Sequence, residues 1–224
     1  MLAKLKNITS TDQLPTEIPL ILLRGAVLLP KAHLPVPIFD TVHLSLADEG
    51  LKEQKLIGLI QPNASLRETP NFDDLDLFSI GTLARITEID EITNEKMIVT
   101  LEGICRFKLV EKRETDEGYP IAKVTYEHFS ADLVEENDFM LDRDRLLKLL
   151  KPYFERLEIN LNWDEIKKVS NQKLVTALTM ACPFRPSEKQ ILLETQNPKD
   201  QSSVITTLIE MAVYSSQNDI ITYH

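Results

Sequence analysis

From residue 96 to 111 apolar and polar side chains alternate. Met97, Val99, Leu101, Cys105, Phe107 and Leu109 take odd positions, and the even ones include Lys96, Thr100, Glu102, Arg106 and Lys108. A period of two predicts a strand with one face buried and the other, Arg106 included, turned to solvent. Such a run exceeds the roughly five or six residues of a common strand. Gly103 interrupts its apolar face where a missing side chain permits a bulge or a sharp coil, and long bent strands belong to small barrels. Ser79–Asp90 is β-branched and strand-like, and Thr93-Asn94 offers a turn between the two. Further strands are predicted at Ile18–Leu23, Ala26–Leu29, Leu56–Gln61 and Ile121–Phe129, the last with Ala122, Val124 and Tyr126 on one face. Pro30, Pro35 and Pro37 remove backbone donors, so their stretch should form an extended rim or edge. One short helix, Thr41–Glu49, is expected between an N-cap at Asp40 and Gly50, where Leu51 would meet Leu46.

Beyond about Asp132 the spacing becomes helical. Phe139, Leu146, Leu150, Tyr153, Phe154 and Leu157 recur at three- and four-residue steps, and Pro152 predicts a kink or break near Leu149. Asn162 should cap a helix, with Glu165 completing a capping box and Leu161 and Ile166 in the staple positions. Ser170 opens the next, carrying Leu174, Leu178 and Ala181 and stopped by Pro183. Ser187 with Gln190 suggests a box for Glu188–Thr195, and Asn197-Pro198 starts the last helix. Val204, Ile205, Leu208, Ile209, Met211 and Ala212 give that helix a broad apolar stripe, the mark of packing among several helices. The predicted class is α+β: a β-rich, barrel-like domain over 1–130 with one short helix, then an α-helical bundle over 131–224, joined by the acidic stretch 127–138.

At 224 residues, 43% hydrophobic and 27% charged, the chain has the composition of an ordinary folded protein. No apolar run approaches the roughly 20 residues that cross a bilayer, and no signal-peptide core follows Lys4 and Lys6, so a cytoplasmic location is expected. Charge changes the picture more. Residues 1–70 hold seven basic and seven acidic side chains, 71–130 hold seven and thirteen, and 131–224 hold eleven and fifteen. No third is net basic, which disfavours a phosphate backbone as partner.

Catalytic equipment is hard to find. None of the six glycines is followed by lysine, so no phosphate-cradling loop of the Walker type exists. Cys105 and Cys182 fit core positions, Ser170 and Ser187 serve as caps despite nearby Lys173 and Lys189, and His33 with His43 lacks further metal ligands. Asp73, Asp74 and Asp76 have no EF-hand spacing and suit a solvated loop. No catalytic, metal or cofactor-binding residue is expected, and no cofactor.

Several segments, in order, resemble the Lon protease N-terminal domain family: Ile18-Pro-Leu-Ile-Leu-Leu-Arg-Gly-Ala-Val-Leu-Leu-Pro30 leading to Pro37-Ile-Phe-Asp40, Gly81-Thr-Leu-Ala-Arg-Ile86, Leu101-Glu-Gly-Ile-Cys-Arg-Phe107, and Pro183-Phe-Arg-Pro-Ser-Glu-Lys-Gln190. The resemblance implies a PUA-like β pseudo-barrel followed by a helical bundle, acting in substrate recognition and assembly. It departs after Asp40, where the family commonly has Arg-Tyr and this chain has Thr41-Val42-His43. No positions match the family's ATPase loop or peptidase dyad, so a stand-alone member without either domain is expected. The function expected is a non-enzymatic module that recognises unfolded or tagged polypeptide or docks on a protease or chaperone. The alternative is a PUA-like RNA binder using Arg24, Arg85 and Arg106. A polypeptide-binding rim is expected at Arg24, Leu28, Leu29, His33, Leu34, Val36, Ile38 and Phe39, where an added strand could pair with a free edge.

Overall fold

The computed structural model describes residues 8–38, 56–63, 72–93, 96–116, 118–134 and 139–219. The helix expected over Thr41–Glu49 with its caps, and the turn at Asn94, lie outside them. Two compact units emerge: Met1–Glu135 with Arg185–Leu193, and Glu136–Phe184 with Glu194–His224.

The first unit is built from β1 (Glu17–Leu22), β2 (His33–Ile38), β3 (Leu56–Ile60), β4 (Ile80–Thr93), β5 (Lys96–Glu114) and β6 (Pro120–Thr125). Neighbours run in the order β2-β5-β4-β3-β1-β6, and β5 also pairs with β6, so five strands close a circuit and β2 extends it at one end. Only β1 and β3 are parallel; every other pair is antiparallel. Strand β5 is long because its two halves serve different partners. Met97–Glu102 face β2, and Lys108–Glu114 face β6. The alternation holds for the apolar side, since Val99, Leu101, Cys105 and Phe107 are wholly buried.

Gly103 marks the bend. A Cβ there would stand 2.2 Å from the Leu29 carbonyl oxygen, so only glycine lets residues 28–32 cross this strand. Its N–H donates to Ala32 O (2.9 Å), its carbonyl accepts from Lys31 N (2.7 Å), and the β4 register slips at this point. Gly81 similarly leaves room for the Phe107 ring, which a Cβ would approach to 2.5 Å. Two expected strand segments take other forms. Residues 26–29 are irregular, because the Leu28 carbonyl accepts from Thr82 Oγ1 (2.6 Å) rather than from a strand neighbour. After Thr125 the chain turns, and a 3-10 turn at Ser130–Leu133 follows.

A helix completes this unit. It runs Pro186–Glu194, after α1 (Arg143–Arg156), α2 (Trp163–Lys168) and α3 (Asn171–Ala181), and is α4 here; α5 is Pro198–Asp219. The expected capping role of Ser187 does not hold: proline takes the first helical position, which suits its missing N–H, and Ser187 lies inside the helix. Glu188 takes over the cap, accepting from Arg185 N (2.8 Å). Gln190 is thereby released to bind the sheet. It is buried, donates to Ile80 O (3.0 Å), and accepts from Gln61 Nε2 (3.0 Å). Gln61 also donates to Pro186 O (3.2 Å) and accepts from Gly25 N (2.8 Å).

In the second unit Asp142, Asn162, Ser170 and Asn197 each accept from a backbone N–H three residues on. Glu165 forms no reciprocal box; it pairs instead with Lys168 (2.9 Å). Helix α1 runs unbroken through Pro152. Its Leu146, Leu149, Leu150, Tyr153 and Phe154 are buried, as are Leu174, Val175 and Leu178 of α3 and Ile205 and Ile209 of α5. Met211 falls outside the expected stripe and is exposed. The Arg143 guanidinium ties the elements together, donating to Asn171 Oδ1 (2.8 Å), Ile166 O (2.5 Å) and Val169 O (2.7 Å).

Candidate functional site

Four of the apolar side chains expected at a polypeptide-binding rim, Leu28, Leu29, Val36 and Ile38, are buried in the first unit. Leu34 is half-buried, Arg24 and His33 are exposed, and Phe39 lies outside the described residues. Between the buried positions of β2 stand Pro35 and Pro37, both exposed. The β2–β5 ladder runs through all six residues of the strand. A proline has no N–H to give, so the donors to β5 are Leu34, Val36 and Ile38, and Pro35 and Pro37 hold the outward-facing positions. The outer edge is therefore stripped of donors there. An added strand would find carbonyls at Pro35 and Pro37 but no complementary N–H, the way natural sheets blunt an edge.

What remains open is a face. Residues directly opposite one another on paired strands project to the same side. Pro37, Ile98 and Asp90 form one such row across β2, β5 and β4, and Pro35, Thr100 and Glu88 form the next. Glu88 and Asp90 are exposed and make no ion pair among the described residues. A third row, His33, Glu102 and Arg85, carries its own counter-charge through Arg85 Nη1 to Glu102 Oε2 at 3.7 Å. Within the first two rows sequence periodicity gave the side of Thr100 alone, and only the register brings β2 prolines into line with β4 carboxylates.

Arg106 overturns its expected place on a solvent face. It is 5% exposed, donates through Nε and Nη2 to Asp132 (2.9 and 2.6 Å), bonds Leu193 O (3.0 Å) and stacks 5.2 Å from the Phe129 ring centre. Asp132, buried at 3% exposure, also accepts from Arg106 N (2.8 Å). Nothing in the acidic run 127–138 distinguishes it as a core residue by pattern. Beside this pair, burial pushes the Cys105 thiol up to about 12, and the Asp132 charge adds to the effect. A thiol so held is no nucleophile at neutral pH. Cys182 is buried too, and Ser170 accepts from Lys173 N (3.3 Å) as a cap. Among the described residues no group of three His, Cys, Asp or Glu side chains could hold a metal ion, and no helix is long and apolar enough to cross a membrane. With Arg106 in the core and Arg85 paired with Glu102, Arg24 alone stands exposed of the three cations the RNA reading invoked.

Known proteins share this architecture. A Lon N-terminal domain protein from Xanthomonas campestris superposes with a TM-score of 0.58 at 19% identity, covering 89% of this chain and 99% of that one. The N-terminal domain of the Mycobacterium avium complex Lon protease gives 0.53 at 18%, covering 87% and 98%. In sequence, the Lon protease of Syntrophus aciditrophicus is 26% identical over 207 residues, which is 92% of this chain and 23% of that protein. That of Desulfosudis oleivorans is 33% identical over 107 residues, 48% of this chain and 13% of that protein. The chain thus spans a quarter or less of the length of these relatives. The family model described as the ATP-dependent protease La (LON) substrate-binding domain matches residues 17–211. With that match running from β1 into α5, the chain belongs to the Lon substrate-binding domain family.

Proposed function

We propose that this chain is a polypeptide-recognition module without chemistry of its own, which binds unfolded or tagged polypeptide or docks on a protease or chaperone. The observation that carries the reading is the family match over residues 17–211, whose family is a substrate-binding domain. Two features support it. Three of the four candidate nucleophiles have a structural occupation, Cys105 and Cys182 in the core and Ser170 as a cap. The outward rows of β2, β5 and β4 give a firm platform, since each strand there is hydrogen-bonded to its neighbour. Fluorescence titration of a labelled unfolded client into the purified protein tests the reading. Saturable binding on the order of micromolar is expected, because a flexible ligand loses conformational entropy on ordering. ATP hydrolysis and casein degradation should be absent. Turnover that co-purifies with the chain and disappears in Ser170→Ala would overturn the non-enzymatic part, and failure to bind any unfolded client would overturn the rest.

A further inference from the structure

We propose that the outer face of β2, β5 and β4 is a docking surface for an extended polypeptide segment that carries lysine or arginine at alternate positions, a proposal that rests on the polypeptide-recognition reading above. The three strands present Pro37–Ile98–Asp90 and Pro35–Thr100–Glu88 as adjacent rows. Two proline rings and the half-buried Ile98 make a firm apolar floor, and Asp90 and Glu88 stand exposed along one side of it. Neither carboxylate has an ion-pair partner among the described residues, whereas Glu102 in the next row has Arg85. Their charge is thus available to an incoming partner. Asp90 and Glu88 are two residues apart on one strand, and every second side chain of an extended ligand repeats at about 7 Å, so a cation at i and another at i+2 can meet both. The net charge of −10 reinforces attraction of such a segment at long range. Edge pairing is the weaker mode here, since Pro35 and Pro37 deny the ligand two of the donors a regular ladder needs.

The test uses three labelled unstructured peptides of equal length and apolar content, bearing lysine, serine or glutamate at the alternate positions, with unfolded casein as a general client. The lysine peptide should bind wild type at least about tenfold more tightly than the glutamate peptide, and weaken as salt rises from about 50 to about 300 mM. Glu88→Lys with Asp90→Lys, checked for an unchanged circular dichroism spectrum, should remove that preference. Glu127→Lys with Glu155→Lys, the same charge change outside this face, should retain it. Equal affinity for lysine and glutamate peptides, or an undiminished preference in the Glu88/Asp90 variant, overturns the proposal. Casein binding without binding of any of the three peptides overturns this face while leaving the recognition reading intact. Loss of every interaction, casein included, sinks both. Self-association of wild type that the Glu88/Asp90 variant relieves would assign the face to a second copy of the chain instead.

Discussion

Arg106 shows at the scale of one residue what alternation reads and what it misses. Its odd-numbered neighbours Cys105 and Phe107 are buried as the period of two requires. The even position faces outward from the barrel interior as well, but α4 and the turn at Ser130–Leu133 cover that side, so outward from the strand is still inside the unit. Arg106→Ala should therefore destabilise by about 3–5 kcal/mol, because it strands the Asp132 carboxylate without its cation. Replacing both, Arg106→Met with Asp132→Leu, should lose far less, and urea midpoints of the two variants decide; equal losses would mean the pair is not what matters. Phe107→Ala should cost about 3–5 kcal/mol from lost transfer energy and a cavity. Cys105 adds a pH dependence. Its folded pKa of about 12 lies above the unfolded 9.0, so its contribution is complete below pH 9 and is lost as pH climbs toward 12. Stability should fall by about 1.4 kcal/mol per pH unit in that window from this thiol, and Cys105→Ala should flatten the slope. An identical slope in both proteins would remove Cys105 as its source.

Elements were more legible than their ends. Caps with an Asx or Ser oxygen before an apolar repeat, at Asn162, Ser170 and Asn197, are local chemistry and stand where the spacing puts them. Ser187 carries the same signature and fails, because Pro186 competes for the first position and wins with its fixed φ. The irregular stretch 26–29 had the β-branched and leucine content of a strand, but its carbonyls are taken by Thr82 and by Ala32. Those partners are remote in sequence or belong to a turn, and periodicity carries no sign of them. Gly103 was legible as a break in the apolar face, though its reason, the passage of Leu29, was not. In the helical unit α3 holds a defect that invites a test. Thr179 is fully buried, and its hydroxyl oxygen has no hydrogen-bond partner among the described residues. Thr179→Val keeps the shape and removes the unmatched group, so it should stabilise by about 1 kcal/mol or more. A lower thermal midpoint in the valine variant would show that the hydroxyl is satisfied in solution.

For the whole molecule, the order of strands first and helices after was readable from the change of period near residue 132, whereas the allegiance of α4 was not. A helix tethered by Gln190 to Ile80 and Gln61, and by Leu193 to Arg106, has its attachment points 87 or more residues away. The rim was legible as extended and proline-bearing, but which of its side chains face outward depends on pairing with β5, and the carboxylates beside it come from β4. The first unit is consequently discontinuous along the chain. Cleaving after residue 135 would leave Gln61, the Ile80 carbonyl and Arg106 each short of a hydrogen-bond partner in its interior. The fragment 1–135 should aggregate or unfold cooperatively at lower denaturant than the full chain, and a synthetic 185–194 peptide should restore part of the difference; a fragment as stable as the parent would show that α4 is dispensable. For a chain emerging from the ribosome this imposes a schedule. The β-rich unit is begun first but can be sealed only when Leu193 has emerged, by which time α1, α2 and α3 have already been synthesised. Its last piece is delivered from beyond the start of the next unit, so a partly made chain stays open to early capture or proteolysis until translation has passed Leu193.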